Sequence, residues 1–302
     1  MSRTATGRAP RVVRVKAFAK INLSLRVLGA RPDGYHELRT TFQSLALHDT
    51  LTFTERKGPF QIVCDNPACP VDVNNLVWRA AERMWRAAGH RSALTGLSVR
   101  IAKKIPMQAG LGGGSSDAAA AIRALAAWWR IDLGGRLVRQ IAAGLGADVP
   151  FFLHGGTALG MGRGEVLVPI PDALKAWVVI VLPAFGVSTA EAYRWWDEDH
   201  GTTRGPGPTP GACATGWSND LEPPVVRRHP KIARIGKALR RHGASQAAMS
   251  GSGSAVFGLF TSRAIADAAA AAVGGRSCRV LMTRTLNRAR HEKETRCAVV
   301  RE

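Results

Sequence analysis

The stretch Pro106-Met107-Gln108-Ala109-Gly110-Leu111-Gly112-Gly113-Gly114-Ser115-Ser116-Asp117 constrains this chain more than any other. Before it, Leu97, Val99 and Ile101 alternate with Ser98 and Arg100 as a half-buried strand does, and Pro106 marks the stop. After it, Ser115, Ser116 and Asp117 are cap-type residues, and Ala118 to Arg130 carries Ile122, Leu125, Ala126 and Trp129 at helical spacing. The predicted order is strand, glycine loop, helix. Four glycines let the backbone approach a ligand closely and take positive φ, while the first helical turn offers unpaired N–H groups and roughly half a positive charge. Such a loop suits an anion, a polyphosphate above all. Taken alone, it also reads as an ordinary glycine-rich turn capping a buried helix.

Better-known phosphate loops do not fit. A Walker loop needs lysine before Ser115, where Gly114 stands, and the dinucleotide pattern fails because Ser115 occupies its third glycine position. Protein-kinase signatures are absent. With 302 residues and 46% hydrophobic content the chain is long enough for a sizeable core and, by length, about two domains. No apolar run has the length of a membrane span, and no secretory segment appears; the basic stretch from Met1 to Arg11 reads as a short disordered N-terminus. Five cysteines, Cys64, Cys69, Cys213, Cys278 and Cys297, show neither disulfide-framework nor zinc spacing, which fits a reducing cytoplasm. The net charge of +20 invites a nucleic-acid reading. Yet the densest groups, Arg227-Arg228 and Arg240-Arg241, lack interleaved aromatics, so no nucleic-acid partner is expected, and an anionic substrate pair or merely arginine-rich usage on solvated faces explains the charge with less.

Elsewhere, apolar residues at the odd positions from Val13 to Val27 predict one long strand or a bent pair, with Lys20 and Asn22 on one face. On periodicity alone Lys20 is one more solvated lysine beside Arg14 and Lys16. Arg31-Pro32-Asp33-Gly34 is a turn leading to Tyr35 and His36, whose rings suit stacking on a base; without context His36 reads more simply as a partly buried structural histidine. Asn74-Asn75 introduce a helix from Leu76 to about Ala88. Leu137 to Leu145 predicts a helix closed by Gly146-Ala147-Asp148-Val149-Pro150, which puts Asp148 on a connection where an isolated Asp is usually structural. Phe151 to Leu159 reads as a strand, and Gly160 to Glu165 as a second glycine-rich turn. The second half continues with a buried strand over Trp177 to Leu182, a helix carrying Tyr193, a flexible loop over 201–216, a helical region from Asn219 and a basic helix to Arg241. A third glycine loop at Ser250 to Ser254, a strand over Ala255 to Phe260, a helix over Ser262 to Val273 and a strand over Arg279 to Thr283 follow. The charged tail from Asn287 is expected to fray.

Five segments taken together, Ala19-Lys20-Ile21-Asn22-Leu23, Asp33-Gly34-Tyr35-His36, Pro106 through Ser116, Gly146-Ala147-Asp148-Val149-Pro150 and Ser250-Gly251-Ser252-Gly253, resemble the GHMP small-molecule kinases in order and spacing over nearly the whole chain. The resemblance implies an α+β, two-domain GHMP kinase fold. Its N-terminal domain, ribosomal-protein-S5-domain-2-like, would span 11–170, and its ferredoxin-like C-terminal α/β sandwich 171–286, with the active site in the inter-domain cleft and 1–10 and 287–302 as flexible tails. ATP-dependent phosphorylation of a small-molecule hydroxyl is implied. The Asp33 to His36 element and the run Ser218-Asn219-Asp220-Leu221-Glu222 narrow the acceptor to a cytidine-diphosphate-linked polyol. Homoserine or mevalonate-type kinases, and a catalytically silent nucleotide- or RNA-binding relative, are the alternatives; Tyr35-His36 speaks against the first and Lys20 with Asp148 against the second.

By the same resemblance Asp148 accepts the hydroxyl proton, late and as an oriented acceptor because an ordinary carboxylate is too weak a base to deprotonate a resting alcohol, while Lys20 stabilises the developing charge. Asn22, Tyr35, His36, Thr189 and Tyr193 fall to the substrate. Pro106, Gly110, Gly112, Gly113, Gly114, Ser115 and Ser116 fall to the ATP phosphates, and Asn75 and Lys104 to the border of the adenine pocket. Mg2+ would bridge the β and γ oxygens, with Glu165 the one carboxylate in view and phosphate and water its main ligands. The expected protein is a cytoplasmic monomer or homodimer with a small-molecule substrate and no membrane partner.

Overall fold

The computed structural model describes residues 11–172, 175–200, 218–275 and 277–301. The expected tail 1–10 and the 201–216 loop lie outside them. The chain opens with β1 (Arg11–Ala30), which turns at Gly34, φ +80, into β2 (His36–Pro59) and pairs with it antiparallel. There follow β3 (Gln61–Cys64), α1 (Leu76–Ala87), β4 (Thr95–Ala102), α2 (Gly113–Trp129), α3 (Arg136–Leu145), α4 (Val149–His154), β5 (Thr157–Gly162) and β6 (Val166–Pro169). The second half runs β7 (Trp177–Pro183), α5 (Thr189–His200), α6 (Glu222–Arg228), α7 (Lys231–Arg241), β8 (Gln246–Met249), β9 (Val256–Phe260), α8 (Arg263–Val273) and β10 (Cys278–Arg284), and the chain ends with α9 (Arg288–Glu294) and β11 (Ala298–Arg301).

One sheet has the order β11-β1-β2-β4-β3, with β5 also on β2 and β6 on β5; the other is antiparallel with the order β10-β7-β9-β8. Each packs a core against its helices: Val13, Val15, Phe53 and Ile101 with Met84, Ile122 and Leu125 in the first half, and Val179, Val256 and Phe260 with Ile232 and Leu239 in the second. A third core joins the halves, where Ile21, Leu23, Leu45 and Leu111 meet Val178, Ile180 and Phe257. A register shift between Phe18 and Lys20 makes this possible. It carries the alternation over by one residue, so Ala19, Ile21 and Leu23 face the second half while Lys20 and Asn22 stay on the helix side. Helix α2 is buried along almost its whole circumference, which its run of alanines allows, since small side chains let α1, α3, α4 and β1 approach it closely. Among the described residues no helix is long and apolar enough to cross a membrane.

Three expectations need correction, and one strand went unannounced. Helix α2 starts at Gly113, inside the glycine run, so Ser115, Ser116 and Asp117 are helical residues rather than caps. Phe151 to His154 is helix, not strand: Pro150 sits in the first turn, where its fixed φ suits a helix and its missing N–H has no partner to lose. Gln246–Met249 is a strand that the alternation did not announce. The described residues after Asn287, up to Arg301, form a helix and a strand rather than a frayed tail. Asn287 caps α9 by accepting the Arg290 N–H at 3.0 Å, Lys16 binds Glu294 at 2.8 Å, and β11 covers the edge of β1. Beneath α9, His291 is buried against Phe18 and under Gly155, where a Cβ would lie 2.1 Å from its ring.

Candidate active site

The glycine loop folds as the chemistry of its residues demands. Gly110 and Gly112 have φ of +73° and +72°, a region costly for other residues. Packing imposes glycine as well. A Cβ on Gly110 would lie 2.0 Å from the Ser250 carbonyl oxygen, and one on Gly112 would lie 2.6 Å from the Phe152 ring and 3.1 Å from Lys20 Cγ. Gly114 is different, with only Leu76 Cδ1 at 4.0 Å, so its open side faces the cavity it lines. No side chain caps α2, and the N–H groups of its first turn remain available to a ligand. Across the cleft, Ser250 Oγ donates to the Gly110 carbonyl at 3.0 Å, which ties the third glycine loop to the first.

Lys20 leaves β1 directly beside that loop and is 4% exposed. Its ammonium donates to Asn22 Oδ1 at 2.6 Å and stands 3.4 Å from Asp148 Oδ2. Asn22 is fixed in turn, donating to Thr40 Oγ1 at 2.7 Å, and Thr40 donates to the Ser24 carbonyl at 2.7 Å. Gly251 closes over the pair, since a Cβ there would come within 3.1 Å of Asn22 Oδ1. Asp148 is the residue before α4, where the chain leaves α3 through Gly146, and its carboxylate is 30% exposed. The arrangement is a buried cation beside a carboxylate that solvent and ligand can reach.

At the far end, His36 Nε2 lies 2.7 Å from Asp197 Oδ1, and its ring stacks on Tyr193 with centroids 4.7 Å apart at 20°. Burial, and the Asp148 charge after it, push the Tyr193 hydroxyl pKa upward, so the phenol stays neutral. Tyr35 is 55% exposed, with the Arg163 guanidinium 4.8 Å from its ring centroid. Thr189 and Ser252 hydroxyls meet at 3.1 Å. At the other end, Asn75 caps α1, accepting the Val77 N–H at 2.9 Å and donating to the Pro70 carbonyl at 2.6 Å.

One cavity of about 1320 Å³ brings these groups together. Lys20, Asn22, Tyr35, His36, Asn75, Pro106, Gly110, Gly112, Gly113, Gly114, Ser115, Asp148, Thr189 and Tyr193 all line it. Single-ligand pockets run to about 1000 Å³, so the space suits two sizeable substrates side by side. Three residues are placed otherwise. Ser116 is 1% exposed and its hydroxyl donates to the Phe18 carbonyl at 2.6 Å, so it straps α2 to β1. Lys104 is off the cavity wall and Lys103 is on it, because Leu97, Val99 and Ile101 set the buried parity and Lys103 continues it. Glu165 is turned to Arg163, accepting its N–H at 2.7 Å, and is not a lining residue. Sequence reasoning missed Asp197 and Lys103. The signal for Asp197 was its position four residues after Tyr193, one helical turn along the same face.

Comparison with known proteins gives a consistent picture. Residues 75–156 match the GHMP kinases N terminal domain and residues 208–279 the GHMP kinases C terminal domain. The 4-diphosphocytidyl-2-C-methyl-D-erythritol kinase of Moorella thermoacetica is 40% identical over 91% of this chain and 99% of its own length; that of Pelotomaculum thermopropionicum is 41% identical with the same coverage. A crystal structure of 4-(cytidine 5'-diphospho)-2C-methyl-D-erythritol kinase superposes with a TM-score of 0.75 at 34% identity, covering 90% of this chain and 98% of that one. Homoserine kinase from Cytophaga hutchinsonii, at 17% identity and a TM-score of 0.64 over 99% of this chain and 100% of its own, shares the fold.

Proposed function

Because the chain belongs to the 4-diphosphocytidyl-2-C-methyl-D-erythritol kinases of the GHMP family, we propose that it transfers the γ-phosphoryl group of ATP to a hydroxyl of 4-diphosphocytidyl-2-C-methyl-D-erythritol, giving the 2-phosphate of the non-mevalonate isoprenoid route. The observation that carries the mechanism is the Lys20–Asp148 pair, set 3.4 Å apart in one cavity with the glycine loop and the Tyr35, His36 and Tyr193 rings.

In this reading the acceptor hydroxyl approaches Asp148 while the ATP phosphates rest on the N–H groups of Gly113 to Ser115. The oxygen of the hydroxyl bonds to the γ-phosphorus, the bond to the β,γ-bridging oxygen breaks, ADP leaves, and the hydroxyl proton passes to the Asp148 carboxylate. Protein chemistry is slight in such a transfer; alignment and charge neutralisation supply most of the rate. Lys20 contributes a fixed positive charge that costs little reorganisation because Asn22 already holds it. The aromatic end takes cytosine by stacking, with Asn22 and Thr189 as further polar contacts to the substrate. Asn75 borders the adenine.

Among the described residues no group of three His, Cys, Asp or Glu side chains could hold a metal ion, and Glu165 serves Arg163. Mg2+ belongs to this reading as part of the nucleotide substrate, ligated by phosphate and water. Residues 11–170 and 171–286 are taken as the two domains, with the chain after Asn287 returned to the first, and the reaction as cytoplasmic.

A panel of acceptors tests the assignment. ATP consumption should require the cytidyl diphosphate substrate and fail with homoserine or mevalonate; turnover of either free alcohol in preference would contradict the reading.

A further inference from the structure

Beneath the glycine loop, three ionisable side chains are shut away from water. Asp49 on β2 is 0% exposed and Asp117 on α2 is 3% exposed. The Lys103 ammonium lies between them, 2.5 Å from Asp49 Oδ2 and 2.8 Å from Asp117 Oδ2. Two carboxylates and one ammonium leave a negative charge unmatched where unmatched charge is costly.

Counting donors identifies which carboxylate can bear that charge. Asp49 Oδ1 also accepts the N–H groups of Lys104 and Ile105, at 2.5 and 2.8 Å. Asp117 has the Lys103 ammonium alone, and its Oδ1 is buried with no donor. A carboxyl group starved of donors and set beside a second carboxylate holds its proton more tightly. Accordingly, burial first and Asp49 after it hold the Asp117 pKa up at about 8, against the pull of Lys103.

Among the described residues Lys103 is the one cation paired with either carboxylate. The segment between β3 and α1 brings Cys69, whose thiol burial pushes up to about 12, with Cys64 beside it, and Asp65, which accepts the Lys103 backbone N–H at 2.8 Å. From β1 comes Lys20, engaged with Asn22 and Asp148, the residue that opens α4. Helix α1 offers Arg79 at the cavity wall, and Arg123 of α2 itself points to the Leu153 carbonyl at 2.5 Å.

The cluster touches the loop it underlies. A Cβ on Gly113 would lie 3.2 Å from Lys103 Nζ, and both Lys103 and Asp117 line the cavity. We propose that the Asp49–Lys103–Asp117 cluster keeps one proton when the loop holds nucleotide, and that losing this proton weakens nucleotide binding by leaving a bare negative charge beneath the phosphates. Asp117 is then a positioning residue, acting through the loop. The inference rests on the glycine loop being the nucleotide site.

Calorimetric titration of the full-length protein with ADP, in two buffers of unlike ionisation enthalpy at pH 7 and pH 9, tests it. With the Asp117 pKa held well above the usual carboxyl range by burial and by Asp49, the free cluster gives up its proton as pH rises from 7 to 9, so binding should take up more proton at pH 9 than at pH 7. Kd should rise several-fold between the two, in step with the extra proton taken up. Asp117→Asn, neutral at both values, should bind without proton uptake and with equal Kd. Wild-type binding at pH 9 without proton uptake overturns the inference, as does uptake that persists in Asp117→Asn. If that variant fails to fold, the two-buffer comparison on the wild type decides. Absence of any ADP binding at pH 7 overturns the nucleotide site itself.

Discussion

Lys20 and Asp148 face each other at 3.4 Å across the cleft, yet only the carboxylate is open to it: the lysine is 4% exposed and the aspartate 30%. Asn22 holds the lysine from behind at 2.6 Å, so its charge is aimed before any substrate arrives. Lys20→Met should therefore lower kcat by about 10²–10⁴-fold with little change in the KM for ATP. Steady-state kinetics read this directly, and a matched rise in KM with unchanged kcat would assign Lys20 to binding alone.

Two glycines four residues apart should fail in different ways. Gly110→Ala forces a methyl into the Ser250 carbonyl at positive φ, and should cost at least ~2 kcal/mol of stability in urea unfolding. Gly114→Ala meets open space within a helix and should gain up to about 1 kcal/mol. Its methyl lies on the cavity side, so the KM for ATP should rise by roughly tenfold while the protein becomes more stable, about 1.4 kcal/mol of lost binding.

The His36–Asp197 contact of 2.7 Å holds the His36 ring in place against Tyr193 at the aromatic end of the cavity. Asp197→Asn should raise the KM for the cytidyl substrate by about 5- to 100-fold, equivalent to about 1–3 kcal/mol, and leave the KM for ATP unchanged. Equal effects on both substrates would mean that Asp197 only supports α5.

Acid should loosen the C-terminal return. Burial, then Arg123 and His154, lower the His291 pKa from 6.5 to about 3. The folded state thus prefers the neutral ring, and that contribution is full above pH 6.5 and is lost as pH falls toward 3. Between pH 7 and 5, before most carboxylates titrate, the loss is about 2 kcal/mol. Calorimetric Tm values over pH 7 to 5 should fall in the wild type and fall less in His291→Leu.

Local chemistry made much of this fold legible. Period-two alternation set Lys20 beside Asn22, Asn75 announced α1, and the glycine loop announced the helix that follows it. The misreadings share a physical origin in tertiary contacts that outweigh local preference. Glycine's low helix propensity moves the expected start of α2 forward, but the close packing of Gly112 on Phe152 and Gly113 on Ile105 fixes the helix from Gly113. Phe151 and Phe152 favour strands in general, and here fill the core beneath Phe42 as helix. The charged run after Asn287 reads as solvated because nothing local reveals that β1 has an open edge for β11 to cover. Strand parity separates Lys103 from Lys104, since Lys103 continues the buried face of Leu97, Val99 and Ile101.

In the proposed transfer Asp148 takes the proton of the substrate hydroxyl. The most direct test is single-turnover phosphoryl transfer from ATP to 4-diphosphocytidyl-2-C-methyl-D-erythritol by wild type and Asp148→Asn, with ATP binding measured on both. The account predicts that the variant binds ATP within a few-fold of wild type and transfers phosphate about 10²–10⁴-fold more slowly. Transfer at the wild-type rate by Asp148→Asn would contradict it.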